Sequence, residues 1–479
     1  MSGKSDDVFE PDRPVVPEGW DIVPFTQAAQ VVSDQGKRIK QSAYLPSGKI
    51  PVIDQGQDYI GGYTDDEGMV IDGELPVVLF GDHTRSIKYV DKPFAVGAEG
   101  VKVLKPMQGF EPKYFYYLLR SLRIPSRGYS RHFQFLKKFH LPRAPEDQQK
   151  HIVAEIEKQF SRLDEAVASL KRVKANLKRY KAAVLKAAVE GKLTEAWRKQ
   201  HPDTEPASEL LQRILVERRA KWEQAELAKM QAMGKIPKDD TWKKKYSEPT
   251  NLDTTELPEL PTGWAWATLD MIGQEGRPII YGIIKPGPHV PDGVPYVRVT
   301  EMKDGRIDVE GLRRTAPERA AKFARATLQP GDILISKDGT IGRVAVVPPE
   351  LAGGNITQHV MRAPVHEWVW RDFVVWAIRS DWCQRWLTGE TKGVALRGVN
   401  VEDFRRLPIP IPPVAEQISI DEEVERCLSI TDEAEAQVNA NLQRAERLRQ
   451  SILATAFTPP VKEFAEPTLY ANREQRAAS

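Results

Sequence analysis

The sequence predicts two α/β globular domains, built as a repeat and separated by long coiled-coil helices, in a dumbbell with pseudo-two-fold symmetry. Three observations predict it. First, LPRAPEDQQKHIVAEIEKQFSRLDEA (residues 141–166) returns as IPIPPVAEQISIDEEVERCLSITDEA (409–434), 268 residues later. That offset places Pro145 on Pro413, Gln149 on Gln417 and Ile156 on Val424, and carries AVLKAAV (183–189) onto SILATAF (451–457). Upstream the offset is 244, with PEGWDIVPF (17–25) on PTGWAWATL (261–269) and IPVID (50–54) on VPYVR (294–298). The drift from 244 to 268 puts insertions inside the second globular part. A period this long marks a duplicated two-domain unit, not a solenoid. Second, each proline junction is followed by an apolar seven-residue periodicity. Third, each region upstream of a junction carries short apolar runs between Gly-bearing turns, the pattern of strands.

In chain order, residues 1–16 are acidic and Pro-rich without an apolar stretch, and read as a disordered tail, not a secretory signal. Residues 17–144 form the first domain, with a strand at LPVVLFG (75–81) and a helix at YFYYLLRSL (114–122). Between Pro112 and Pro145 the chain has eight cations and no acid. These are Lys113, Arg120, Arg123, Arg127, Arg131, Lys137, Lys138 and Arg143, interleaved with Tyr129, Phe133, Phe135 and Phe139. Such a strip suits phosphate binding, because each cation can release counterions from DNA; a solvated basic face is the alternative. Base reading needs paired donors and acceptors or a cation fork. The loop GDHTRSI offers His83, Thr84 and Arg85.

Residues 145–234 form the first helical spacer. Val153, Ile156, Phe160, Leu163, Val167, Leu170 and Leu177 alternate three and four apart and continue to Val184, interrupted by Lys174 and Lys181. About 45 helical residues span about 67 Å. The expected partner of this seam is the second long helix; packing of each helix on its own globular domain is the alternative. A further helix is expected over 207–234, then a linker rich in Pro, Lys and Thr over 235–260.

Residues 261–412 form the second domain, with strands in GDILISKDGTIGRVAVV (331–347) and helix in FVVWAIRSDWCQRWL (373–387). Its diluted basic strip holds Lys392, Arg397, Arg405 and Arg406. Its base-reading candidates are Lys337, Asp338, Thr340 and Arg343, with Asn355, Gln358 and His359. The second spacer, 413–458, has a weaker seam at Leu428, Thr431, Val438, Leu442, Ala445 and Ile452. Residues 459–479 form a C-terminal tail.

Little points to catalysis. The GKS at 3–5 lacks the upstream glycine of a P-loop, and DGTIG (338–342) is a turn rather than a dinucleotide fingerprint. EGK (190–192) has the form of a nuclease half-motif without an upstream Asp on a strand, and reads as a helix end. The amino-methylating motif Asn-Pro-Pro-aromatic is absent. With two cysteines, no CxxC, no zinc spacing and no apolar run of spanning length, the expectation is a reduced, cytoplasmic chain without a metal or membrane segment. The net charge of +2 excludes little.

The chain resembles the specificity subunit of Type I restriction–modification enzymes. The resemblance rests on Gly19 before Trp20 and Gly263 before Trp264, the DGTIG turn, LPIPIPPVAEQ (407–417) with LPRAPEDQQ (141–149), and AVLKAAVEGKLTEAWR (183–198). The first junction departs from the pattern, with one Pro and with Asp in place of Glu. The resemblance implies two target recognition domains, each reading half of a split site in double-stranded DNA. The coiled coils would set the gap and hold two modification subunits that flip out and methylate adenine with S-adenosylmethionine. Restriction (motor-nuclease) subunits would use ATP and magnesium, and no cofactor would bind this chain. The alternatives are the specificity component of a fused methyltransferase–nuclease system, or a coiled-coil protein that bridges proteins rather than DNA.

Overall fold

The computed structural model describes residues 9–457, apart from 98–99, 127, 129, 236, 238, 304 and 390–398. They form two units. The first runs to Arg172 and resumes at Val438; the second is Val173–Gln437.

In the first unit, β1 (Asp21–Pro24), α1 (Phe25–Ala28), β2 (Ala29–Val32), β3 (Arg38–Ile39), β4 (Ile50–Ile53), β5 (Gly62–Thr64), β6 (Val77–Gly81), β7 (Ile87–Val90), β8 (Ala95–Gly97) and β9 (Val101–Pro106) precede α2 (Pro112–Ser121), α3 (Phe133–Leu136) and β10 (His140–Arg143). Two four-stranded sheets result, ordered β2-β9-β6-β7 and β3-β8-β4-β5. VVLFG is buried along its whole length, as an unbroken apolar run at the centre of a covered sheet requires. The head closes on itself where β1 pairs antiparallel with β10, Asp21 opposite Arg143. Pro112 opens α2, and the Glu111 carboxylate accepts from Tyr114 N, so the helix starts where these residues dictate. Phe9 packs on Phe135 and Phe139 at 5.6 and 5.7 Å, which corrects the expected disordered tail at this end of 1–16.

From β10 the chain enters α4 (Glu146–Val189), then α5 (Glu195–Gln200) and α6 (Ala207–Ala232). The second head follows: β11 (Ala265–Thr268), β12 (Ile280–Tyr281), β13 (Val294–Val297), β14 (Met302–Lys303), β15 (Arg306–Ile307), β16 (Arg314–Thr315), α7 (Pro317–Ala321), β17 (Ile333–Ser336), β18 (Val344–Val346), β19 (Asn355–Ile356), β20 (Val360–Ala363), α8 (Arg371–Arg379), α9 (Asp381–Thr388), α10 (Val401–Arg405) and β21 (Pro408–Ile411). Its main sheet, β12-β20-β17-β18, repeats the connectivity of β2-β9-β6-β7. β11 closes on β21 as β1 closes on β10. The helical stretch at 373–387 is divided at Ser380, whose hydroxyl caps α9. The expected linker is laid down rather than free: Trp242 stacks on Trp222 of α6, and Thr250 N donates to Asp270. Nor is 145–234 one spacer. Leu210, Leu211 and Ile214 of α6 share the core of the second head, and Arg218 donates to the Asp270 carbonyl.

The last helix, α11 (Val414–Ala456), pairs with α4 in both units. In the first unit Ile152, Val153, Ile156 and Phe160 share a core with Ile452, Leu453, Ala456 and Phe457. In the second, Val184, Leu185, Ala188 and Val189 share one with Ile420, Val424 and Cys427. The repeat explains both sets, since adding 268 turns Val184, Leu185, Ala188 and Val189 into Ile452, Leu453, Ala456 and Phe457. The helices therefore pack on each other and on the heads, so both arrangements weighed from the sequence occur. Leu163, Val167, Leu170, Leu177, Leu428 and Leu442 are half-buried, while Val438 and Ile452 are buried. The seam lysine Lys181 is no defect, because it pairs with Asp432 at 2.6 Å and Glu435 at 2.7 Å. Arg449 pairs with Asp164 in the first unit. These ion pairs are themselves repeats, since Lys181 maps to Arg449 and Asp164 to Asp432.

Candidate nucleic-acid interface

In the first head, the loop after β6 and the basic strip after α2 are tied together through Asp82. This buried residue accepts from Phe133 N at 2.7 Å through its carboxylate and from His132 N at 2.8 Å through its carbonyl. His83 and Arg85 continue the tie: His83 Nδ1 lies 3.2 Å from the Ser130 carbonyl, and Arg85 donates to that of Ile124 at 2.9 Å. Thr84 Oγ1 donates to the Gln55 carbonyl at 2.6 Å. These three sequence candidates therefore shape the loop, and Thr84 alone among them is exposed.

The strip divides into two classes. Arg123, Arg131, Lys137 and Lys138 are exposed; Arg127 lies outside the described residues. Arg120 and Arg143, two of the expected phosphate-binding cations, have partners within the head. Arg120 lies against the rings of Tyr116 and Phe160 and donates to Tyr116 Oη, while Arg143 pairs with Asp21 at 2.7 Å. Phe133 and Phe139 are buried and belong to the core. The aromatic spacing that looked like part of a binding strip is the inner face of the same segment.

In the second head, Lys337, Asp338, Thr340, Gln358 and His359 converge. Asp338 Oδ2 lies 3.1 Å from Lys337 Nζ and 2.9 Å from His359 Nδ1. Burial raises the Asp338 pKa, but hydrogen bonds from His359 and Lys337 outweigh it and hold the carboxyl below its ordinary value. Asp338, Thr340, Gln358 and His359 line a cleft of about 630 Å³ together with Lys285 and Arg298. The sequence reading missed the last two; in the structure Lys285 stands before Pro286 at φ +51°. Arg298 is held by Glu301 at 2.6 Å.

The other described candidates have partners within the head. Asn355 is 1% exposed and donates to the Phe323 carbonyl while accepting from Ile356 N, so it is no base reader. Arg343 reaches the Val299 and Met302 carbonyls from an exposed position. Arg405 pairs with buried Asp270 at 3.3 Å, and Arg406 with Glu402 at 3.1 Å. Lys392 and Arg397 lie outside the described residues. Among the described residues no group of His, Cys, Asp and Glu could hold a metal ion.

The repeated junctions couple head to helix through buried polar side chains. Gln149 Nε2 donates to the Gly109 and Ala144 carbonyls and its Oε1 accepts from Glu111 N. Gln417 does the same with Pro412 and Trp370. One residue earlier, Gln148 accepts from Trp20 Nε1 at 2.7 Å and Glu416 from Trp264 Nε1 at 2.9 Å. Gln148, not an Asp, thus stands in the place of Glu416, which corrects the sequence alignment of this junction. Glu416 is fully buried and also accepts from Thr194 Oγ1 and Arg198. Gly191, at φ +67°, ends the turn after α4 so that Arg198 can reach it; a Cβ there would meet Pro261 at 2.7 Å.

Residues 290–444 match the family model of the Type I restriction modification DNA specificity domain. The chain is 30% identical over 318 residues to the EcoBI specificity subunit of a Type I restriction enzyme from Escherichia coli, covering 66% of this chain and 57% of that one. By these matches the chain is similar to the Type I restriction–modification specificity subunits. It is also 23% identical to the EcoDI specificity subunit of E. coli, over 80% of this chain and 77% of that one. It thus spans little more than half the length of the first relative. The fold is similar to that of a chain from a structural study of complex assembly and conformational transition in the type I R-M system. The match has a TM-score of 0.58 at 16% identity, covering 93% of this chain and 99% of that one.

The exposed cations of the first head lead to a direct expectation. Changing Arg131, Lys137 and Lys138 to Ala should weaken cognate and non-cognate duplexes to similar degrees. It should also flatten the salt dependence, by roughly 0.9 in log–log slope for each phosphate that is no longer neutralised. Binding titrations across salt concentrations check this; an altered sequence preference at unchanged affinity would contradict it.

Proposed function

We propose that this chain is the non-catalytic DNA-recognition subunit of a Type I restriction–modification complex. Each head reads one half of a bipartite site in double-stranded DNA. The paired segments of α4 and α11 fix the gap and dock two adenine-modifying subunits, to which restriction subunits add. S-adenosylmethionine, ATP and magnesium would serve those partner subunits. No helix among the described residues is long and apolar enough to cross a membrane.

The observation that carries this reading is the duplicated head. Two sheets of the same connectivity present the same hairpin loop, after β6 and after β17, and each head is closed by its own strand pair and locked to its own helix junction. Independent heads should be exchangeable. Replacing residues 17–144 with the matching segment of a relative should change one half of the methylated sequence and leave the other half and the gap unchanged. Methylation sequencing reads the result, and a change in both halves would refute independent reading.

A further inference from the structure

In the second head, four side chains form a relay whose hydrogen-bond polarity is set by chemistry. Asp338 Oδ2 faces both Lys337 Nζ and His359 Nδ1. A carboxylate only accepts, so His359 Nδ1 carries a proton, and in the neutral tautomer that bears it there Nε2 is an acceptor. Gln358 Nε2 lies 3.1 Å from that acceptor, so the carboxamide nitrogen donates to it. In that tautomer the amide nitrogen faces His359 and the amide oxygen faces away from it. Gln358 Oε1 has no hydrogen-bond partner among the described residues.

The backbone beneath is hydrogen-bonded on both segments. Gln358 N donates to the Ile283 carbonyl at 3.0 Å, and Lys337 N to that of His359 at 3.0 Å. Gln358 lines the 630 Å³ cleft, and so does Thr357, which is 5% exposed with no hydrogen-bond partner for its hydroxyl among the described residues.

We infer that Gln358 reads the major-groove edge of an adenine in the half-site of the second head, with His359 and Asp338 as positioning residues. The inference rests on the DNA-reading function proposed above. A carboxamide held with one acceptor and one remaining N–H complements adenine, which presents the N7 acceptor beside the N6 amino donor. Guanine presents two acceptors on that edge, so one would face Gln358 Oε1 and be rejected. Lys285 at the same cleft is exposed and supplies positive charge for a flanking phosphate.

The test uses the full chain with its modification subunits, mapping methylated sites for the unchanged protein and three variants. Gln358→Ala should make one A·T pair of the second half-site degenerate, with discrimination there falling roughly five- to 150-fold. The first half-site serves as the internal control for folding. Gln358→Glu, which replaces the donor with a second acceptor, should move the preference at that pair toward C·G. His359→Ala should loosen the same pair and no other, whereas a merely structural role would lower stability without singling out one base. An unchanged site in Gln358→Ala, or a loss spread over the whole half-site, would overturn the assignment. An unchanged protein that selects no sequence would overturn the DNA-reading function itself, and the two failures are distinct.

Discussion

Replacing Glu416 with Ala is expected to destabilise the second unit by about 3–5 kcal/mol, the range for breaking a buried ion pair from one side. Glu416 is fully buried and gathers three donors: Trp264 Nε1, Thr194 Oγ1 and Arg198. Without it the Trp264 and Thr194 donors stay buried with nothing to bond, and each orphan costs about 1–3 kcal/mol. Arg198 keeps its bond to the Gly191 carbonyl but loses its counter-charge. The repeat supplies the control. Gln148 occupies the same place in the first unit and accepts one hydrogen bond, from Trp20, so Gln148→Ala should cost about 1 kcal/mol. Glu416→Gln keeps the shape and an acceptor but removes the charge, and should fall between the two. Urea titration of the full chain, resolving the two units by limited proteolysis, measures all three. Equal effects for Glu416→Ala and Gln148→Ala would contradict the role given to the ion pair.

A chain ending at residue 206 should form a homodimer. Such a chain keeps the first head, α4 and α5 but loses Ile452, Leu453, Ala456 and Phe457, which share a core with Ile152, Val153, Ile156 and Phe160. Each large apolar side chain left in water forfeits about 1.5–3 kcal/mol. A second copy can cover them, because its Val184, Leu185, Ala188 and Val189 are the repeat equivalents of the missing four. Its Lys181 can likewise take the place of Arg449 against Asp164, so the ion pair survives twice in a symmetric dimer. Light scattering or sedimentation gives the mass directly. Methylation by the dimer should then fall on an inverted repeat of the first half-site. A folded monomer, or a dimer that still needs the original asymmetric site, would contradict the equivalence of the two helices.

The repeat and the long helices were legible because periodic apolar positions leave a trace in sequence that survives divergence. Ile156 and Val424 differ in identity yet both are fully buried. The placement of α6 was not legible: its Leu210, Leu211 and Ile214 stripe shows that something covers it but not which neighbour does. The basic strip was half legible. Charge count found Arg131, Lys137 and Lys138, but Arg120 and Arg143 have the same composition and are spoken for by Phe160 and Asp21, residues far away in the chain. Single buried polar residues leave no periodic signal at all. Gln149 and Gln417 stood out only as an identity in the self-alignment, and Asn355 read as a loop residue because side-chain chemistry cannot reveal burial. Lys337, Asp338, Gln358 and His359 lie on two segments about 20 residues apart, and only the pairing of β17 with β20 brings them together.

Methylation mapping of host DNA, with this chain expressed beside its modification subunits, tests two-headed recognition most directly. The expected result is one asymmetric sequence in which two short specified parts flank a gap of fixed length and unspecified bases, lost when the chain is deleted. A single uninterrupted sequence, or methylation that persists without the chain, would contradict it.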